Sequence, residues 1–107
     1  MERIYNKLVR DKIPDVIKGN GEMPIIRLLD DISYKSELEK KMFEEYKEVI
    51  ESKGIDRIEE LADMLEVIKA LASLENKTLD DVIKTADEKN QKRGAFDKKI
   101  FLEKVIC

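Results

Sequence analysis

Four acidic residues form two pairs, and the members of each pair are three positions apart: Glu45 with Glu48, and Glu60 with Asp63. Residues three apart lie on the same side of an α-helix, so one ion can contact both members of a pair. Oxygen ligands without nitrogen or sulfur suit Mg²⁺, Mn²⁺ or Ca²⁺, and do not suit zinc or copper. The spacing predicts a hard-cation site if the two pairs lie on neighbouring helices.

Glu60 stands out because of its apolar surroundings. The apolar residues of 56–74 fill roughly half of a helical wheel, and Glu60 falls inside that arc. Asp63 falls just beyond its edge. A buried carboxylate is costly unless it is paired, protonated or bound to a metal. Two explanations therefore stay open for Glu60: a salt bridge to a lysine, or a metal ion.

The preceding helix shows a weaker version of this pattern. Glu45 borders its apolar stripe, Glu48 lies one turn on, and Glu44 lies further round toward solvent. Glu44 alone is ordinary surface charge. The short link around Gly54 makes the two helices antiparallel neighbours. We therefore expect the two acid pairs to converge on one spot.

Basic residues gather at the end of a third helix, where Lys89 and Arg93 are four apart and share a face with Asn90 close by. Basic side chains beside an all-carboxylate metal site suit a polyphosphate. The same charges could simply complement the helix dipole, and this alternative stays open. Near the start of the chain, Lys7, Arg10 and Lys12 are ordinary surface charge when taken alone, with Asp11 as their ion-pair partner.

Composition excludes several classes of function. The 107 residues are the size of a single domain, covering 1–107. Histidine is absent, which removes Ser-His and Cys-His nucleophile systems. A net charge of −3 with interspersed signs predicts no general attraction to nucleic acid or to anionic membranes. The lone Cys107, the lack of a signal-peptide pattern and the lack of a spanning apolar run predict a cytoplasmic protein.

Periodicity and breakers predict a mainly α fold, a small antiparallel helical bundle. The predicted helices are a short one from Pro14 to about Lys18, and three longer ones over 36–53, 56–74 and 79–93. Their ends have recognisable signals: Ser33 or Ser36 as an N-cap, Gly54 as a C-terminal stop, Asp56 with Glu59, and Thr78 with Asp81.

Two further predictions concern pairing. The apolar runs 25–29 and 100–105 are expected to pair as a minor two-stranded β element. The apolar arc of 56–74 is wider than one neighbouring helix covers, so we expect a homo-oligomer with this helix near the subunit interface.

The combination Glu44-Glu45-x-x-Glu48 and Glu60-x-x-Asp63 resembles the signature of the MazG-like all-α nucleoside triphosphate pyrophosphohydrolases. The segments 5–14 and 92–96 are similar to the subgroup described as phosphoribosyl-ATP pyrophosphohydrolase-like. Ala95 stands where many members of that subgroup have a second glycine after the Arg-Gly pair. The resemblance extends over nearly the whole chain.

This resemblance implies a helical fold assembled as a homodimer or homotetramer. It also implies Mg²⁺, or Mn²⁺, and cleavage of a nucleoside triphosphate to the monophosphate and pyrophosphate. Carried over by motif position, the metal ligands are Glu45, Glu48, Glu60 and Asp63. Glu44, beside Glu45 in the motif, would orient or deprotonate water. Residues matching the substrate-contacting set are Lys89, Asn90, Arg93, Lys7 and Arg10. The rival expectation is a catalytically silent helical module that binds a nucleotide or a protein.

Overall fold

Four α-helices and no strand make up the computed structural model, which describes all 107 residues. The mainly α prediction is therefore confirmed. In chain order the helices are α1 (Ile13–Gly19), α2 (Asp31–Glu51), α3 (Gly54–Leu74) and α4 (Leu79–Arg93).

The second and third helices form an antiparallel hairpin around a two-residue link, and their ends differ from the predicted ones. α2 begins five residues early because the Asp30 carboxylate, not Ser33 or Ser36, is the N-cap, accepting from the Ser33 N–H at 2.7 Å. Gly54 was expected to stop α2. It instead opens α3 with φ +58°, a conformation that favours glycine. The predicted Asp56 cap is wrong, since α3 starts after Lys53 without a side-chain cap.

The ends of α4 match their prediction. Thr78 and Asp81 form a reciprocal capping box: the Thr78 hydroxyl accepts from the Asp81 N–H, and the Asp81 carboxylate accepts from the Thr78 N–H at 2.9 Å. Gly94 ends the helix with φ +81° and donates its N–H to the Asn90 carbonyl. These local hydrogen bonds fix α4 at residues 79–93, as the sequence predicts.

The predicted β element is wrong. No backbone hydrogen bond joins residues 25–29 to residues 100–105. Both segments lie open to solvent, with Ile25 88% and Phe101 87% exposed. A two-stranded ribbon is marginal in water unless its apolar face packs on something, and within this chain neither segment has such a surface.

The core is small and lies between α2 and α3. Only three of the 107 residues are buried, namely Leu38, Val67 and Glu45. A ring of half-covered apolar side chains surrounds them: Met42, Val49, Met64, Ile68 and Leu71. Helix α4 packs against α3 alone, and α1 packs against none of the other helices. The hairpin is thus the one packed unit of the chain.

The single chain is extended and leaves much apolar surface open. Its radius of gyration is 18.4 Å, against about 13 Å for a compact domain of this length. Its accessible surface is 10,280 Å², whereas a folded monomer of 12.5 kDa exposes roughly 6,200 Å². None of the four helices combines the length and the apolarity that crossing a membrane requires.

Candidate metal centre

Three carboxylates converge where the middle of α2 faces α3. One oxygen each from Glu45, Glu60 and Asp63 lie within 4.8 Å of one another. Glu60 and Asp63 share a face because they are one turn apart on α3, and the antiparallel hairpin brings Glu45 opposite them. We call these three residues the acid cluster. The predicted convergence of the four acids on α2 and α3 is therefore present for three of them, and Glu48 is the exception.

Glu45 is the most enclosed member of the acid cluster, with only 8% of its surface exposed. Burial raises the pKa of its carboxyl above its ordinary value, and the negative charge of Asp63 raises that pKa further. No side-chain oxygen or nitrogen of the protein is fully buried without a hydrogen-bond partner, so the Glu45 oxygens still reach solvent. An incoming ion therefore has access to them.

Glu60 is half-covered, and the pKa of its carboxyl is also raised, first by desolvation and then by the nearby charge of Glu48. Neither Glu60 nor Glu45 forms an ion pair with any lysine or arginine of the chain. The salt-bridge explanation that the sequence left open for Glu60 therefore has no partner within one chain. The positive charge of Lys41 favours the ionised form of Glu45 from beyond ion-pair distance. Converging carboxylates with so little positive charge around them are what a divalent cation would stabilise.

The other two acids of the motif lie outside the acid cluster. Glu48 is exposed and contributes its charge to Glu60 without joining the three converging oxygens. Glu44 is turned toward Lys41, whose ammonium lies 3.2 Å from its carboxylate. Both belong to the hairpin, and both add negative charge close to the acid cluster: Glu48 acts on Glu60, and Glu44 acts on Glu45.

An arginine from the start of the chain contacts the acid cluster. The Arg10 guanidinium lies 2.6 Å from an Asp63 carboxylate oxygen, across 53 residues of sequence. The sequence suggested Asp11 as the partner of the N-terminal basic residues and did not reveal this contact. No local signal could have revealed it, because periodicity and capping report only on neighbours within a turn or two.

The remaining basic residues of the predicted substrate set stay apart from the acids. Lys89, Asn90 and Arg93 are exposed on the last turns of α4 and form no ion pair. The Lys7 ammonium lies 5.9 Å from the centre of the Tyr5 ring. Among the predicted cationic contacts, the single chain brings Arg10 alone to the acid cluster.

The donor set of the acid cluster fits a hard divalent cation. It offers three carboxylate oxygens and no nitrogen or sulfur. Magnesium usually binds a few carboxylates and keeps several positions for waters and substrate phosphates. Burial first, and neighbouring negative charges after it, raise the pKa of Glu45 and of Glu60, so a +2 ion beside them would stabilise their ionised forms. The acid cluster is therefore a candidate site for such an ion.

Comparison with known proteins adds little to this geometry. No family model matches the chain, and no solved structure matches it. An uncharacterized protein of Mycolicibacterium smegmatis is 44% identical over 43 residues, which make up 40% of this chain and 44% of that protein. The matched part thus spans less than half of the relative, and the similarity brings no activity to this chain.

Proposed function

We propose that the protein is a nucleotide pyrophosphohydrolase that uses Mg²⁺, or Mn²⁺, to hydrolyse a nucleoside triphosphate to the monophosphate and pyrophosphate. One observation carries the proposal. The oxygens of Glu45, Glu60 and Asp63 converge within 4.8 Å, and neither glutamate has a cationic partner in the chain. The resemblance of the acidic motif to MazG-like enzymes supports the same reaction.

The acid cluster would hold the ion, with Glu48 one turn along α2 adding negative charge nearby. When bound, a divalent cation neutralises phosphate charge and lowers the pKa of a coordinated water. Glu45 and Glu44 are the acids proposed to orient that water and accept its proton. The attacking group in the proposed hydrolysis would be water, so the reaction needs no protein nucleophile, which agrees with a chain that has no histidine and no cysteine before Cys107.

The proposed phosphate contacts come from the basic residues at the two ends of the chain. Arg10 already lies beside the acid cluster, where its guanidinium can donate to phosphate oxygens. Lys89, Asn90 and Arg93 on α4, with Lys7, complete the proposed set. Their positive charge would stabilise the departing pyrophosphate, so that catalysis is mainly positioning and electrostatics.

Assembly as a homodimer or homotetramer is part of the proposal. The chain exposes roughly 4,000 Å² more than a compact monomer of its mass. This excess on one chain is ample for an obligate interface, which buries about 2,000–5,000 Å² summed over both partners. Two exposed apolar stripes flank the buried side of the hairpin and are suited to a second copy: Phe43, Tyr46 and Ile50 on α2, and Ile58, Leu61 and Leu65 on α3. We place the protein in the reducing cytosol because it has a single, free cysteine.

The deciding experiment compares two variants, each of which replaces one glutamate of α3 with glutamine. Glu60→Gln alters the acid cluster, and Glu66→Gln is the matched control because Glu66 only forms an exposed pair with Lys69 at 4.0 Å. Wild type and control should be stabilised against heat by Mg²⁺, since a ligand of the native state raises the unfolding midpoint by mass action. Glu60→Gln should lose most of this stabilisation and at least about tenfold in turnover.

Turnover is measured as pyrophosphate release from a panel of canonical and modified nucleoside triphosphates. A native Mg²⁺ response together with hydrolysis of at least one triphosphate supports the proposal. A metal-independent midpoint with no release from any substrate would instead favour the silent binding module. A large drop in the metal-free midpoint of Glu60→Gln would show that Glu60 is a structural ion-pair partner in the assembly.

A further inference from the structure

The N-terminal segment 1–12 reaches the acid cluster through one polar link. The Arg10 guanidinium and the Asp63 carboxylate, 2.6 Å apart, form the sole side-chain hydrogen bond between residues 1–24 and the hairpin. The other long-range ion pair of this region, Arg3 with Glu22 at 2.5 Å, stays within the N-terminal part of the chain. Since α1 packs against no other helix, Arg10 is the main polar anchor of this part of the chain.

The position of Arg10 is set by the start of α1. Its carbonyl accepts a hydrogen bond from the Ile13 N–H at 3.0 Å, so Arg10 lies one turn before the helix. The link to Asp63 is solvent-exposed, with 57% of the Arg10 side chain and 43% of the Asp63 side chain accessible. Exposed ion pairs of this kind are weak and are easily exchanged for another partner.

Arg10 is the cation in direct contact with the place where three negative charges meet, while the charge of Lys41 acts on Glu45 from farther away. A guanidinium stays protonated at any physiological pH, so it always competes with a metal ion for a carboxylate. It also repels a nearby divalent cation. Asp63 is the member of the acid cluster that both the guanidinium and the metal ion would contact. The guanidinium occupies one of the two Asp63 carboxylate oxygens. An arriving ion must either share Asp63 with a positive charge beside it or displace that charge, and repulsion favours displacement.

We propose that Arg10 is the resident counter-ion of the acid cluster and that a divalent cation displaces it from Asp63. This inference rests on the proposed metal site and adds a regulated contact to it. In the metal-free protein the guanidinium neutralises part of the cluster and holds the N-terminal segment against α3. In the metal-loaded protein the guanidinium is free, beside the ion, to bind a phosphate through its paired N–H donors. Metal loading and phosphate capture are thereby coupled through one side chain.

Calorimetric titration of the full chain with Mn²⁺ tests the competition between the Arg10 guanidinium and the metal ion for Asp63. Arg10→Gln removes the competing guanidinium. Lys12→Gln is the matched control: it removes one positive charge two residues away, and Lys12 forms no ion pair. Arg10→Gln should bind Mn²⁺ about two- to fivefold more tightly than wild type, as expected for the loss of an exposed ion pair. Lys12→Gln should bind Mn²⁺ as wild type does.

Trypsin gives a second readout, independent of activity. Mn²⁺ should speed cleavage after Lys7 and Lys12 in wild type, because the released segment is more accessible. Asp63→Asn, which lacks both the link and the ligand, should be cleaved at one rate with or without Mn²⁺.

The outcomes separate this inference from the proposed function. Equal Mn²⁺ affinity in wild type and Arg10→Gln, equal gains in both glutamine variants, or weaker binding in Arg10→Gln would each overturn the displacement. Wild type that binds no Mn²⁺ at all would overturn the metal site itself, and the displacement with it. Tighter binding in Arg10→Gln alone, with metal-dependent cleavage, establishes Arg10 as the displaced counter-ion.

Discussion

The α2–α3 hairpin and helix α4 are both rich in charged residues but use them differently. In the hairpin, packing around Leu38 and Val67 forces the acid cluster together and raises the pKa of Glu45 by burial. In α4 no residue is buried, and its basic end stays solvated. Charges form a site where packing overcomes their solvation and mutual repulsion; otherwise they remain separate and hydrated.

The largest expected effect comes from the hairpin itself. Glu45→Gln keeps the shape of the side chain but removes the most enclosed carboxylate of the acid cluster. Turnover should fall at least about tenfold, and the Mg²⁺ stabilisation should disappear. The metal-free protein should be as stable as wild type or more so, because like-charge repulsion is relieved. Glu48→Gln, one turn away and exposed, should lose much less turnover and much less Mg²⁺ stabilisation. Equal losses in the two variants would show that four acids, not three, form the site.

Assembly is the next test, because a second copy could bring α4 and the hairpin together. Leu65→Lys places a charge on the exposed apolar stripe of α3, where burial of an unpaired charge is costly. Self-association, measured by light scattering over a dilution series, should weaken by at least about tenfold. Glu66→Lys, on the neighbouring exposed position, is the control. Wild type that is monomeric at micromolar concentration would contradict the proposed interface.

The basic end of α4 should matter for substrate and not for metal. Replacing both Lys89 and Arg93 with alanine should raise KM for the nucleotide by roughly tenfold, in line with the loss of charge-assisted hydrogen bonds. The Mg²⁺ response should be unchanged. If these residues only complement the helix dipole, KM will stay constant and α4 will lose a few tenths of a kcal/mol.

The acid cluster and the cap of α4 should also respond to acid in opposite directions. The pKa of Glu45 is raised, so the folded chain holds its proton more tightly than the unfolded chain does. Metal-free stability should therefore rise as pH falls through that raised pKa, while Mg²⁺ binding declines. The hydrogen bonds from Thr78 lower the pKa of the Asp81 carboxyl below its ordinary value of 3.8. The stability that the ionised Asp81 gives to α4 is therefore lost as the pH falls below 3.8 and through that lowered pKa. Thermal unfolding across pH checks both signs: Glu45→Gln should abolish the first response, and Asp81→Asn should abolish the second.

The smallest effect concerns the cap of α4. Thr78→Ala removes the hydroxyl that accepts from the Asp81 N–H at 3.2 Å and should cost about 1 kcal/mol. Because α4 packs against α3 alone, the cost should appear as faster amide exchange within α4. Exchange in the hairpin should stay as in wild type. Equal acceleration in both regions would show that α4 and the hairpin unfold as one unit.

Local chemistry determined most of the secondary structure. The Thr78–Asp81 capping box and Gly94 define α4 from residues close in sequence, because the hydrogen bonds they make span a single turn. The positions of Glu60 and Asp63 on one side of α3 follow from helical periodicity alone. The proximity of Glu45 to them followed from the short link near Gly54.

Tertiary structure decided what depends on distant partners. Residues 25–29 and 100–105 have the composition of strands, but strands need a partner and a surface, and the chain supplies neither. Gly54 could end one helix or begin the next, and the packing of α2 on α3 selected the second. The contact between Arg10 and Asp63 closes a loop of 53 residues, so no local pattern encodes it. Only the folded chain shows which of its cations reaches the acid cluster.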